Sequence, residues 1–238
     1  GAGVLEAGPA SLLERIGAIV PLREHDESRA RRLDDLAPVF RREALALLRE
    51  NPYDLVLLSC KAYHLPQVIA DVAPAVGEGT AIIPLLNGMR HLDVLDQKFG
   101  HDRVLGGLCS IAATLNEKRE VMQLQPMQSL NYGERDGKLS DRVKAIDEAF
   151  KSGINGATAS QNIMQDMWEK WVFLASLAAS TSLMRTSVGN ILAAPGGRDF
   201  LLGMLDETSA IATASGYPPG GPFFERVKGN LTAEGSPM

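Results

Sequence analysis

From Gln161 to Met184 the chain contains neither glycine nor proline, and apolar side chains fall on nearly every face of the helix this composition implies. A segment of that kind, centred on Met167-Trp168-Glu169-Lys170-Trp171-Val172-Phe173-Leu174-Ala175-Ser176, predicts a buried helix and hence a substantial helical core around it. Lys170 sits in the middle of it. Burying an unpaired ammonium costs several kcal/mol, so such a lysine is paired, reaches an edge along its flexible stem, or takes part in chemistry. Periodicity alone favours the two structural readings.

Upstream the pattern is different. Tyr53–Cys60, Thr80–Leu86 and Val104–Ser110 are short apolar runs, with helical stretches over 66–76 and from the turn at 87–89 to Gly100 between them. Their length and continuity are those of strands buried on both faces, and strand–helix alternation predicts a doubly wound parallel sheet. The first run ends at Lys61-Ala62-Tyr63 and the second at Asn87-Gly88-Met89, the strand ends at which open α/β sheets bind ligands. At the start, Gly1-Ala2-Gly3, a helix-like stretch to Ile16 closed by Gly17, and a strand over Ala18–Leu22 have the layout of a βαβ dinucleotide-binding unit. Glycines there let the backbone approach a pyrophosphate at a helix N-terminus. The strand that should come before Gly1 is not part of the sequence, and Glu6 stands at the third glycine position. Arg23-Glu24-His25-Asp26 offers both an acid for the ribose hydroxyls of NAD and a base for the NADP phosphate, so spacing leaves that choice open.

Beyond Ala113, short antiparallel strands are expected over Val121–Leu124 and Ser129–Tyr132, followed by the turn Gly133-Glu134-Arg135-Asp136-Gly137 and a helix over Ser140–Lys151. After Gln161 everything reads as helical, with helices over Asp199–Ser215 and Phe223–Leu231 and breaks at Gly189, 195–197 and 216–222. Two domains are therefore expected, 1–160 and 161–238.

A net charge of −5 argues against nucleic acid or an anionic membrane as the main partner. No apolar run is long enough to span a bilayer. Cys60 and Cys109 lie in apolar runs without metal-ligand or CxxC spacing, which predicts buried free thiols and a cytoplasmic protein. His64, His91 and His101 show no ligand spacing, and no metal site is expected.

The strand ending in Lys61-Ala62-Tyr63, the strand ending in Asn87-Gly88-Met89, and Trp168-Glu169-Lys170-Trp171 opening an all-helical region together resemble the ketopantoate reductase (2-dehydropantoate 2-reductase) family. The GxG start, the 105–113 strand and the 133–137 turn fit the same order. The resemblance implies a Rossmann-type domain followed by a mainly helical one, and NADPH-dependent reduction of a 2-keto acid to a 2-hydroxy acid, with NADH not excluded. It implies that Gly1 and Gly3 belong to the phosphate turn, that Lys61, Asn87 and the Ala113 backbone contact the cofactor, and that Lys170 is catalytic. Hydride addition to a ketone leaves charge on oxygen, which a positioned ammonium can stabilise and protonate. A homodimer is compatible with the resemblance.

The family carries asparagines one and two turns after the lysine, where this chain has Leu174 and Ala178, and Val188 stands at a third polar position. A more apolar pocket is expected, although Ser176, Ser180, Thr181 and Arg185 offer polar groups nearby. The family's serine and C-terminal glutamate would follow Met238, so the second domain is expected to be incomplete at its C-terminus. Two alternatives stand beside the first reading: the same fold acting on a more apolar keto or hydroxy acid, and a nucleotide-binding protein without catalysis.

Overall fold

A computed structural model describes Ile16–Ile19 and residues 53–117, 121–151, 154 and 156–238. The chain divides into two compact units, Gly1–Ile163 and Met164–Met238.

In the first unit three strands, β1 (Ile16–Ile19), β2 (Leu55–Leu58) and β3 (Ala81–Pro84), form a parallel sheet in that order. Leu55, Val56 and Leu58 of β2 and all four residues of β3 are buried, as strands covered on both faces must be. Side chains alternate between faces. Leu55, Ala81 and Ile83 join Leu105, Leu130, Tyr132, Val143, Ile146 and Phe150 in one core. Helix α1 (Leu65–Val72) follows β2, and α2 (Arg90–Phe99) follows β3. The predicted helix over 66–76 stops at Val72 because Pro74 has no N–H to continue it, and Ala73–Ala75 tightens into a 3-10 turn.

The N-terminal expectation is shifted. Ile16–Ile19 is strand, not the close of a helix, and Gly17 pairs with Val56 rather than ending a helix. Pairing along β2 decides the local structure here, over the break that a glycine suggests by itself. Ala18 and Ile19 of the expected strand over Ala18–Leu22 lie in it, and residues 20–22 are outside the described residues.

Val104 makes a parallel bridge to Ile82, and then β4 (Gly106–Leu115) leaves the parallel sheet. It pairs antiparallel with β5 (Val121–Gly133), which is parallel to the short β6 (Ala157–Ala159). Gly107 permits the crossing: a Cβ there would lie 2.6 Å from Ile83 Cγ2 and 2.7 Å from the Pro84 carbonyl oxygen. The two short strands expected over 121–132 are one long strand. The register shift between Ile111 and Ala113, opposite Gln128 and Gln123, leaves 124–127 in a bulge, where Pro126 needs no ladder donor. Helix α3 (Asp141–Lys151) packs Val143, Ile146 and Phe150 into the core.

The second unit is helical: α4 (Ile163–Met184), whose first residue closes the first unit, then α5 (Val188–Ala193), α6 (Gly197–Ala214) and α7 (Gly221–Leu231). Val172, Val188, Ile191, Leu201, Leu205, Ala212, Phe223, Val227 and Leu231 form its core. Helix α5 was not expected, because Gly189 reads as a break. Its glycine serves close approach instead: the Val188 and Gly189 N–H groups donate to the Met238 and Ser236 carbonyls at 2.7 and 3.0 Å. A Cβ on Gly189 would stand 2.8 Å from the Gly235–Ser236 backbone. Among the described residues, no helix is long and apolar enough to cross a membrane.

Candidate active site

Two predicted site residues lie at the same edge of the sheet by strand register. Leu58 of β2 is the partner of Pro84 in β3, and Lys61 and Asn87 each lie three residues further on (61 − 58 and 87 − 84). Both are exposed at the carboxyl edge of the sheet. Lys61 is extended (φ −73°, ψ 147°) and opens a 3-10 turn over Ala62–His64, closed by the His64 N–H donating to its carbonyl at 2.9 Å. Pro66 then starts α1 with a fixed φ. Asn87 begins the bend that leads into α2, and Gly88, at φ +90°, occupies a conformation open to glycine at little cost.

The helix behind Asn87 is held at both ends. At its start His91 is buried, and neither ring nitrogen has a hydrogen-bond partner. Burial, then the neighbouring Arg135 cation, push its pKa down to about 4, with Asp93 opposing. At its far end Arg135 Nη2 donates to both Asp96 oxygens at 2.6 and 2.7 Å, and His101 Nδ1 lies 3.1 Å from Asp96 Oδ2. Partial burial works against the Asp96 carboxylate, yet these bonds keep it below its ordinary range. Glu134 behaves alike: burial opposes ionisation, while Arg142, at 2.5 Å, and Ser140, at 2.6 Å, hold it low. Arg142 also donates to the Asp102 carbonyl, so the 133–137 turn, α3 and the 101–103 turn that follows α2 form one clamp.

Ala113 is on a different strand, outside the parallel sheet. It is exposed in β4 at the register shift, six residues beyond Gly107, which touches Pro84 (113 − 107). At ~3.3 Å per residue that is about 20 Å further along the strand. Gly1 and Gly3 lie outside the described residues, as does Arg23-Glu24-His25-Asp26.

In the second unit Lys170 is half-buried on α4 and has an interaction partner. The turns around it are pinned by residues that periodicity did not single out. Glu169 Oε1 accepts from the Gly220 N–H at 3.0 Å and from Gln165 Nε2 at 3.2 Å, and Gln165 donates to the Pro218 carbonyl at 3.0 Å. Trp168 stacks on Tyr217 at 5.8 Å and meets Trp171 edge-on at 5.4 Å. The signal for this staple was the i, i+4 pair Gln165/Glu169 facing a Gly/Pro-rich turn.

Of the four polar groups expected near Lys170, Ser176 and Thr181 are bonded elsewhere. Ser176 is buried, donating to the Val172 carbonyl at 2.8 Å and bonding Thr208 at 2.7 Å. Ser180 is buried as well, Thr181 bonds its own helix at the Leu177 carbonyl, and Arg185 is exposed at φ 53° past the helix end. Val188 is fully buried in the helical core, so it says nothing about a pocket. Leu174 is half-buried and Ala178 exposed. Among the described residues no group of three or more His, Cys, Asp or Glu stands close enough to hold a metal ion.

A parallel sheet with polar residues at its carboxyl edge, followed by a helical unit, is the order of a Rossmann-type domain followed by a mainly helical one. The family models of ketopantoate reductase PanE/ApbA and of its C-terminal region match residues 27–137 and 162–236. The chain belongs to the ketopantoate reductase family. It is 34% identical to the uncharacterised oxidoreductase YkpB of Bacillus subtilis, over 75% of this chain and 59% of that one. The crystal structure of 2-dehydropantoate 2-reductase from Geobacter metallireducens superposes with a TM-score of 0.68 at 25% identity, covering 79% of this chain and 63% of that one. A D-mandelate dehydrogenase solved with NADH and anilino(oxo)acetate shares the fold, with a TM-score of 0.62 at 18% identity over 77% of this chain and 58% of that one. The chain spans between about half and two thirds of the length of the curated relatives it matches.

Proposed function

We propose that this chain is an NAD(P)H-dependent oxidoreductase that reduces a 2-keto acid to the 2-hydroxy acid, 2-dehydropantoate or a close analogue, with NADPH preferred and NADH as the alternative. The observation that carries the reading is the alignment of Lys61 with Asn87 at one sheet edge, in a chain of this family whose second unit carries Lys170. On this reading residues 1–160 bind the dinucleotide, and 161–238 supply the substrate side.

The exposed ammonium and carboxamide at the sheet edge suit a phosphate-bearing dinucleotide, an ammonium for negative charge and an amide that both donates and accepts. Lys61 and Asn87 would hold it, with the backbone of Gly1, Gly3 and Ala113. When bound, the reduced nicotinamide supplies the hydride that reaches the keto carbon. Lys170 steadies the charge growing on the keto oxygen and passes its Nζ proton to that atom, so the hydroxyl forms as the ammonium becomes an amine, which solvent then reprotonates. The family likeness extends the proposal to a homodimer.

A second reading, a more apolar keto acid, is favoured by Leu174 and Ala178 following Lys170 while Ser176 and Ser180 are turned into the helical core. Oxidation of NADPH and of NADH by the purified protein, followed at the nicotinamide absorbance with a panel of 2-keto acids, tests both. Turnover of 2-dehydropantoate supports the first reading, and turnover only of bulkier apolar acids supports the second. Failure to bind either cofactor removes both, and cofactor binding with no turnover of any acid leaves a nucleotide-binding protein without catalysis.

A further inference from the structure

We propose that Tyr63, braced by His64, is a stacking platform for a planar heteroaromatic ring of the dinucleotide. This deepens the proposed function and rests on its cofactor reading. Tyr63 is 75% exposed, and every other described phenylalanine, tyrosine and tryptophan is buried or half-buried. The exposed ring is not in a slack loop. It occupies the middle of the 3-10 turn that follows Lys61, closed by the His64-to-Lys61 hydrogen bond of 2.9 Å and by the proline-started α1. The His64 imidazole meets it edge-on, with ring centroids 4.3 Å apart and an interplanar angle of 70°. That contact limits the rotamers of Tyr63 while leaving most of its ring open. Such a ring stands two residues past Lys61, at the carboxyl edge where open α/β sheets receive ligands. Aromatic side chains stack on heteroaromatic rings of any base, because every base presents a π-face. A dinucleotide offers two, adenine and nicotinamide, and either can meet this platform.

The test is equilibrium binding of NADPH and NADH, read by nicotinamide fluorescence, to the wild type, Tyr63→Phe and Tyr63→Ala. The expected result is a Kd within twofold of wild type for the phenylalanine variant and about tenfold weaker for the alanine variant. Unfolding midpoints should be unchanged, because the side chain is mostly solvent-exposed. Adenosine 2′,5′-bisphosphate and reduced nicotinamide mononucleotide, titrated separately, show which half loses affinity in the alanine variant and so which ring stacks. The alanine variant binding as tightly as wild type overturns the platform while leaving the cofactor reading intact. Equal weakening in the phenylalanine variant also overturns it, since the hydroxyl and not the ring would then matter. A wild-type protein that binds neither cofactor overturns the cofactor reading and the platform with it.

Discussion

The carboxylate of Glu169 accepts a 3.0 Å hydrogen bond from the backbone N–H of Gly220, joining the helix turn that carries Lys170 to the Gly/Pro-rich turn before α7. The neighbouring Gln165 bonds the same turn at the Pro218 carbonyl, and Tyr217 stacks on Trp168. Glu169→Ala leaves the Gly220 donor and the Gln165 amide without their shared acceptor. A loss of about 1 kcal/mol is expected, typical of one net hydrogen bond near the surface. Glu169→Gln keeps an acceptor oxygen and should lose clearly less. Urea unfolding of both variants separates them, and equal loss in the two would contradict the assignment.

Two glycines of the helical unit should respond in opposite directions to the same substitution. Gly189→Ala drives a methyl group into backbone 2.8 Å away, which neither helix nor C-terminal segment can yield cheaply, and should destabilise by about 1–3 kcal/mol. Gly203 lies inside α6 with nothing within 4 Å of a built Cβ, so Gly203→Ala should stabilise by roughly 0.5–1 kcal/mol through helix propensity. Thermal unfolding of the pair reads both signs at once.

His91 predicts how stability depends on pH. Its folded pKa of about 4 lies below the ordinary 6.5, so on acidification the unfolded chain takes up the proton first. Stability from this residue is complete above 6.5 and falls as pH drops towards 4. At pH 5 the loss is about 2 kcal/mol, each unit of separation being worth ~1.4 kcal/mol. Asp96 and Glu134, held low by their arginines, contribute stability that is present above their unfolded pKa and lost only in stronger acid, so the window from pH 6.5 to 5 isolates the histidine. His91→Leu should flatten the denaturation profile across that window. An unchanged slope would mean that the buried imidazole is not its source.

Much of the frame is legible in the sequence. Leu55–Leu58 and Ala81–Pro84 are strands because an unbroken apolar run of that length has to be covered on both faces, and Ile163–Met184 is a helix because nothing in it breaks one. What escaped depends on tertiary partners. Gly189 breaks a helix in isolation, but here it admits the C-terminal backbone; Pro126 divides a strand on paper, but a bulge absorbs it. Gly17 lies within a strand because β2 pairs with it. At the site, the places of Lys61 and Asn87 followed from where their strands had to stop, whereas Val188 was misplaced because a position in a motif does not reveal which way a side chain faces. Tyr63 carried no periodic signal, since exposure is a property of the folded edge.

Lys61 and Asn87 should divide cofactor binding between charge and amide recognition. Lys61→Ala is expected to raise the Kd for NADPH several-fold, with the difference shrinking as salt is added, because an exposed ammonium acts through a screened field. Asn87→Ala should weaken binding to a similar extent at every ionic strength. A salt series on both variants reads the distinction, and matching salt dependences would contradict it.

The most direct test of the account is steady-state and binding analysis of Lys170→Ala. With a 2-keto acid turned over by the wild type, kcat should fall by about 10²–10⁴-fold, the usual contribution of a positioned proton donor, while the Kd for NADPH and the unfolding midpoint stay close to wild type. A variant that keeps its turnover, or that loses it only together with folding stability, would contradict the claim that Lys170 is the proton donor.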